Sequence, residues 1–157
     1  MMSNEIALDR TDRAIIAELV LDGRLTNVEL ASKVGLTPAP CLRRLRRLEE
    51  EGVITGYRAT LAPRAVGRAF CVYVSVQIAV RSNEVVQEFE RTVASYAEVT
   101  ELRRVYGELD YLMRVDVADS DAYERFLTTR MNPLPAVRRM VSHPTMKTIK
   151  TSDQRPA

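Results

Sequence analysis

Thr37–Gly52 reads TPAPCLRRLRRLEEEG, and the ends and faces of this stretch decide what kind of chain carries it. Thr37 can cap a helix, Pro38 suits the first helical position because its missing N–H would have no partner there, and Gly52 offers a left-handed stop. One helix is therefore predicted. With about 100° of rotation per residue and Arg43 at zero, Arg47 falls at about 40°, Arg44 at about 100° and Arg46 at about 300°, with Ala39 and Pro40 in the same arc. Cys41, Leu42, Leu45 and Leu48 take the opposite side. Such a helix has an apolar back to bury and a front of four guanidinium groups, small at its first turn. A helix entering a DNA major groove needs these features: small residues near the base edges, and arginines for guanine or phosphate. A solvated basic face on an ordinary core helix has the same pattern, so the surrounding sequence has to decide.

At 157 residues, the chain suffices for one domain of common size or two small ones. Its net charge of +2 says little until it is divided along the chain. Residues 1–60 hold nine Lys or Arg and nine Asp or Glu, so any affinity for nucleic acid must come from clustering at Arg43, Arg44, Arg46 and Arg47. The two cysteines, Cys41 and Cys71, sit in apolar patterns without metal-ligand spacing, which argues against a disulfide scaffold and a zinc site. No apolar run resembles a signal peptide or reaches transmembrane length, and a soluble cytoplasmic chain is expected.

Upstream, Leu8, Ile15, Ile16, Leu19 and Val20 form one helical stripe after cap-competent Asp9 or Thr11, and Asp22-Gly23 ends it. Thr26-Asn27-Val28-Glu29 is a capping box opening a short helix, with Val28, Leu30, Ala31 and Val34 available to a core and Gly35 closing it. Helix, short helix, Gly-containing turn and basic helix is the order of a helix-turn-helix, which favours the DNA reading. Gly52–Leu61 then switches to a period near two and reads as a strand leaving the helical domain. Pro63 and Gly67 mark a linker.

From Phe70 the alternation is strict. Phe70, Val72, Val74, Val76, Ile78 and Val80 share one face, while Cys71, Tyr73, Ser75, Gln77 and Ala79 share the other. The second face is only half polar, and a partner subunit is its simplest cover. A helix capped by Ser82 or Asn83 carries Val85, Val86, Phe89 and Val93. A strand follows at Ala97–Tyr106, then a loop at Gly107-Glu108 and an alternating strand through Leu109, Tyr111, Met113, Val115 and Val117. Asp119 or Ser120 caps a helix with Tyr123, Phe126, Leu127 and Met131, which Pro133–Pro135 breaks. A last strand runs from about Val137 to Ile149 and is open to interruption at Pro144. The order βαββαβ is ferredoxin-like. The expected fold class is α+β. Its predicted parts are a helix-turn-helix domain with exit strand (1–61), a linker (62–69), a ferredoxin-like domain (70–151) and a loose tail (152–157).

The stretches LDRTDRAIIAEL, DGRLTNVELASKVGL, TPAPCLRRLRRLEEEGVITGY, GELDYLMRVDV and LPAV, in register from Leu8 to about Lys150, resemble the Lrp/AsnC (leucine-responsive, feast/famine) family of bacterial transcription regulators. The resemblance implies a winged-type helix-turn-helix followed by an effector-sensing ferredoxin-like domain. It implies dimers built by pairing the sheets, commonly assembled into octamers. It also implies a small effector, usually an amino acid, near a Gly-x-x-Asp-Tyr loop. Gly107, Asp110 and Tyr111 match that motif, with Glu108 and Leu109 at its variable positions. Backbone N–H groups near Gly107 can meet a carboxylate, and Asp110 can accept from an ammonium group; a loop aspartate can equally satisfy its own backbone. The last strand departs from the family, placing Met140 and Ser142 where relatives tend to carry threonines towards the effector. Met140 would give a roomier apolar wall and Ser142 one polar contact. From the face and first turn of the basic helix, Thr37, Pro38, Ala39, Pro40, Arg43, Arg44, Arg46 and Arg47 are the expected groups for double-stranded operator DNA.

An enzyme is disfavoured. His143, the only histidine, has no nucleophile or acid constellation readable around it, and neither a P-loop nor a GxGxxG occurs. No catalytic residues, metal or cofactor are expected beyond the effector, and Cys41 belongs to the packed face of its helix. An architectural protein that coats or bends DNA without sensing anything would use the same helix and oligomer, and only a response at the Gly107–Tyr111 loop separates the two.

Overall fold

The computed structural model describes residues 6–79 and 82–150. Val80 of the alternating stretch and the tail from Ser152 lie outside the described residues. Two compact units are present, one up to Thr60 and one from Leu61.

The first unit is helical: α1 (Arg10–Leu21), α2 (Asn27–Lys33) and α3 (Pro38–Glu50). Each start has a distinct chemistry. At α1, Asp9 accepts from the Asp12 N–H and the Asp12 carboxylate accepts from the Asp9 N–H, a full capping box. At α2, Thr26 and Glu29 do the same. At α3, Thr37 occupies the cap position but makes no side-chain cap bond. The reason is its neighbour: the third helical residue, whose N–H a cap oxygen usually takes, is Pro40, and proline has none. Asn27 ties the start of α3 down instead, donating through Nδ2 to the Pro38 carbonyl at 2.8 Å. Ile15, Leu30, Ala31, Cys41 and Leu48 form the core, with Leu8, Ile16, Leu19, Leu45, Val53 and Ile54 against it. Val20 and Val28, expected inside, are 77% and 64% exposed; Val20 instead borders a surface groove with Val53 and Tyr57.

No strand forms over Gly52–Leu61. Gly52 turns the chain at φ 72°, Val53 and Ile54 fold back onto the helical core, and Tyr57 donates to Glu49 at 2.8 Å. A strand needs a neighbour to receive its hydrogen bonds, and among the described residues none pairs with the rest of this stretch.

The second unit is a four-stranded antiparallel sheet in the order β2-β3-β1-β4, from β1 (Phe70–Ile78), β2 (Val99–Arg104), β3 (Tyr111–Val117) and β4 (Val137–Pro144). Helices α4 (Asn83–Ala94) and α5 (Ser120–Phe126) cover one face, capped by Ser82 and Asp119. This is the predicted ferredoxin-like order. The α5 helix extends through one wide turn, Leu127–Met131, closed by Asn132 N–H to the Leu127 carbonyl at 2.8 Å. The last strand stops at Pro144 rather than Ile149, with one further bond to β1 from the Thr145 N–H to the Cys71 carbonyl at 2.9 Å.

Register fixes the faces. Val74 lies opposite Met113 and Ser142, and Val76 opposite Tyr111 and Met140. These residues share the helix-covered face, where Val86, Phe89, Val93, Tyr123 and Phe126 complete the core. The other face carries Tyr73, Ser75, Leu112, Arg114 and Val141.

Leu48 is fully buried at the back of α3. Leu48→Ala is expected to cost about 2–5 kcal/mol, the usual range for an aliphatic core truncation, read as a lower urea midpoint for the transition that reports helix loss.

Candidate functional site

The basic helix presents its four arginines in two pairs with different surroundings. Arg43 and Arg46 are exposed, as are Thr37, Pro38 and Ala39, with Pro40 half-buried. Arg44 and Arg47 turn towards α1. Arg44 Nη1 donates to Asp9 Oδ2 at 2.5 Å and to Asp12 Oδ1 at 2.9 Å, and Arg47 Nη2 donates to Asp12 Oδ2 at 2.5 Å. Asp12 has no solvent exposure, so a side chain that would be intolerable alone is matched by two cations. The Asp12 backbone N–H first, and the Arg44 guanidinium next, hold the Asp9 carboxyl below the usual carboxylate range. In return, the bonds to Asp9 and then Asp12 hold Arg44 still more firmly protonated. Arg47 also lies 3.9 Å from Glu51, one residue of the acidic run that ends the helix.

Sequence reasoning grouped the four arginines and missed the acids that divide them. A signal existed: Asp12 falls on the Leu8, Ile15, Ile16, Leu19 stripe, and a carboxylate on a buried stripe must find a cation.

In the second unit, the loop between β2 and β3 is stitched to the end of β1. Asp110 N–H donates to the Val76 carbonyl at 3.0 Å, and the Asp110 carboxylate accepts from Ile78 N–H at 2.9 Å. Gln77 Nε2 donates to the Glu108 carbonyl at 2.6 Å. Gly107 sits at φ 126°, a conformation that a side chain would strain. Gly107 and Glu108 are exposed at the tip and Leu109 is half-buried.

Tyr111 points the other way, into the core. Its ring centroid is 4.8 Å from that of Phe89, and its hydroxyl donates to Glu90 at 2.7 Å. Burial first, and the Glu90 hydrogen bond second, push its pKa up to about 12. Tyr111 and Met140 flank Val76 in one row on the helix-covered face. Ser142, on that face too, shares a 2.6 Å hydrogen bond with the Tyr123 hydroxyl. The loop thus offers an open tip of backbone groups and one anchored carboxylate, backed by an apolar row.

The comparisons with known proteins follow this division. A winged helix-turn-helix DNA-binding model matches residues 8–55, and an Lrp/AsnC ligand binding domain model matches residues 71–155. The leucine-responsive regulatory protein of Escherichia coli is 39% identical over 147 residues, which span 94% of this chain and 90% of that protein. A transcriptional regulator of Neisseria meningitidis, solved as its L-Met complex, superposes with a TM-score of 0.90 at 34% identity, covering 96% of this chain and 97% of that one. An AsnC family regulator from Agrobacterium tumefaciens gives 0.88 at 39% identity, covering 95% and 97%. The fold and its two matched parts define a transcription regulator with a DNA-binding helix-turn-helix and a ligand-binding domain, not an enzyme. The chain belongs to the Lrp/AsnC family. Among the described residues no helix is long and apolar enough to cross a membrane.

Tyr57 shares the behaviour of Tyr111: burial, with Glu49 second, moves its pKa up to about 12. A spectrophotometric titration is expected to show a late step at about pH 12 from Tyr57 and Tyr111, and Tyr111→Phe is expected to reduce its amplitude. Both pKa values are raised above the unfolded value, so the unfolded chain loses these protons first. Their stabilisation is complete below the unfolded pKa, about 10, and declines as pH climbs from there towards about 12.

Proposed function

We propose that this regulator binds promoter DNA in the cytoplasm, and controls genes of amino-acid metabolism or transport according to an amino-acid effector. Residues 1–61 carry the DNA contact, 62–69 connect, 70–151 sense and assemble, and 152–157 are a tail. The observation that carries the effector reading is the likeness, over 96% of the chain, to a regulator solved with L-Met. In this reading the amino-acid carboxylate meets backbone N–H groups at Gly107, Glu108 and Leu109, and its ammonium group approaches Asp110. Tyr111, Met140 and Ser142 face the helix layer and act from behind, setting the shape of the loop and the room available to the effector side chain.

The sheet face away from the helices supports a homodimer. Leu112 and Val141 are half-buried there and Tyr73 is 41% exposed, an apolar patch that a second copy of the sheet would cover. Dimers assembling into octamers would present α3 helices in pairs, to half-sites about 10–10.5 base pairs apart or a multiple of that. An effector regulates only by favouring one assembly or DNA-bound state over another, since equal affinity for both shifts nothing.

Mobility shift on the DNA upstream of the protein's own gene, with and without each of the twenty amino acids, tests the reading. One or a few amino acids are expected to change the midpoint or the ladder of complexes. Specific binding that no amino acid changes would retire the effector and leave the architectural role.

A further inference from the structure

The four arginines of α3 form two chemically distinct sets, one exposed and free of Asp9 and Asp12, the other ion-paired to them with 33% and 43% of the Arg44 and Arg47 side chains exposed. On the helix, Ala39, Arg43, Arg46 and Glu50 follow one another at steps of four, three and four residues, which is one stripe, and all four are exposed. Arg44 and Arg47 lie beside that stripe, on the flank turned to α1. For Arg44 to reach a base it would have to leave Asp9 at 2.5 Å and Asp12 at 2.9 Å. If Arg47 left as well, a carboxylate with no solvent exposure would stand unpaired, the costliest kind of broken ion pair. The two carboxylates are not free to follow, because they are also the reciprocal capping box of α1: Asp12 N–H to Asp9 at 2.8 Å and Asp9 N–H to Asp12 at 3.1 Å. The clamp is also neutral, two acids against two guanidinium groups, so it adds no net positive field at a phosphate backbone. Nor can the start of α3 supply much by its N–H groups, since Pro38 and Pro40 have none and Ala39 alone keeps its own.

We propose that Arg43 and Arg46 are the DNA-reading side chains of α3, with Ala39 giving them close approach, while Arg44 and Arg47 are positioning residues that fix the helix on the Asp9–Asp12 cap. Arg43, nearer the small first turn, is the base-reading group and specificity determinant. Arg46, one turn further on, is a phosphate contact, and Glu50 marks the end of the reading stripe. The inference rests on α3 being the DNA-entering helix and says which of its residues do the reading.

The test uses the full-length protein and two probes: the duplex that it enriches from a random-sequence pool, and an unselected duplex of equal length. Affinity for both is measured by anisotropy across a salt series, and thermal unfolding by circular dichroism. Arg43→Ala is expected to melt like the parent and to lose preference for the enriched duplex by at least about fivefold, the lower end of a bidentate base contact. Arg46→Ala is expected to weaken both duplexes alike and to lower the salt slope by about 1. Arg44→Ala is expected to melt earlier while its folded fraction keeps the preference within about twofold. If it does not fold, Arg44→Lys, which keeps one cation at Asp12, takes its place with the same expectation. Parent-like preference in Arg43→Ala would overturn the assignment, as would loss of preference in an Arg44 variant that melts like the parent. Failure of the parent to enrich any duplex would overturn the reading of α3 itself, before any variant is compared.

Discussion

Asp12 has no contact with solvent and three neighbours that need it: the Asp9 N–H, Arg44 and Arg47. A carboxylate in that position is tolerable only with its cations in place, and this constraint couples the first helix of the unit to the third. The apolar core of Ile15, Leu30, Cys41 and Leu48 buries the back of α3 and sets its rotation to within the width of that stripe. Two guanidinium groups bonded to one buried carboxylate are directional. Within that rotation they hold Arg44 and Arg47 to the α1 side and leave Arg43 and Arg46 outermost.

The second unit uses a comparable device at its loop. Tyr111 belongs to the same short motif as Gly107 and Asp110, yet the three have different tasks in the fold. Tyr111 anchors the start of β3 under Phe89 and Glu90, Asp110 ties the turn to β1 at Ile78, and Gly107 supplies the backbone conformation of the tip. A loop held from three sides presents its N–H groups in a fixed direction, as selective recognition of a small zwitterion requires.

Much of this was legible in the sequence where local chemistry decides the outcome. The capping box at Thr26 and Glu29, the alternation from Phe70, the caps at Ser82 and Asp119 and the βαββαβ order all depend on residues close together in the chain. Outcomes that depend on distant residues were not legible. The period of two in Gly52–Leu61 does not make a strand, because no partner among the described residues pairs with it. Thr37 does not cap with its side chain, because Pro40 withholds the donor, a signal that lies only three residues on and could have been read. An angular projection of α3 places four arginines in one arc but cannot show that Asp9 and Asp12 of another helix claim two of them. Likeness names Met140 and Ser142 as effector-lining, and only the register, opposite Val76 and Val74, shows that they stand on the helix-covered face.

The central claim is that the clamp on Asp12 survives DNA binding and that the exposed stripe does the reading. A crystal structure of the protein on its enriched duplex addresses it directly. Expected are Arg44 and Arg47 still on Asp12, with Arg43 at a base edge and Arg46 at a phosphate. Arg44 in the major groove, with Asp12 released or joined to another cation, would contradict it.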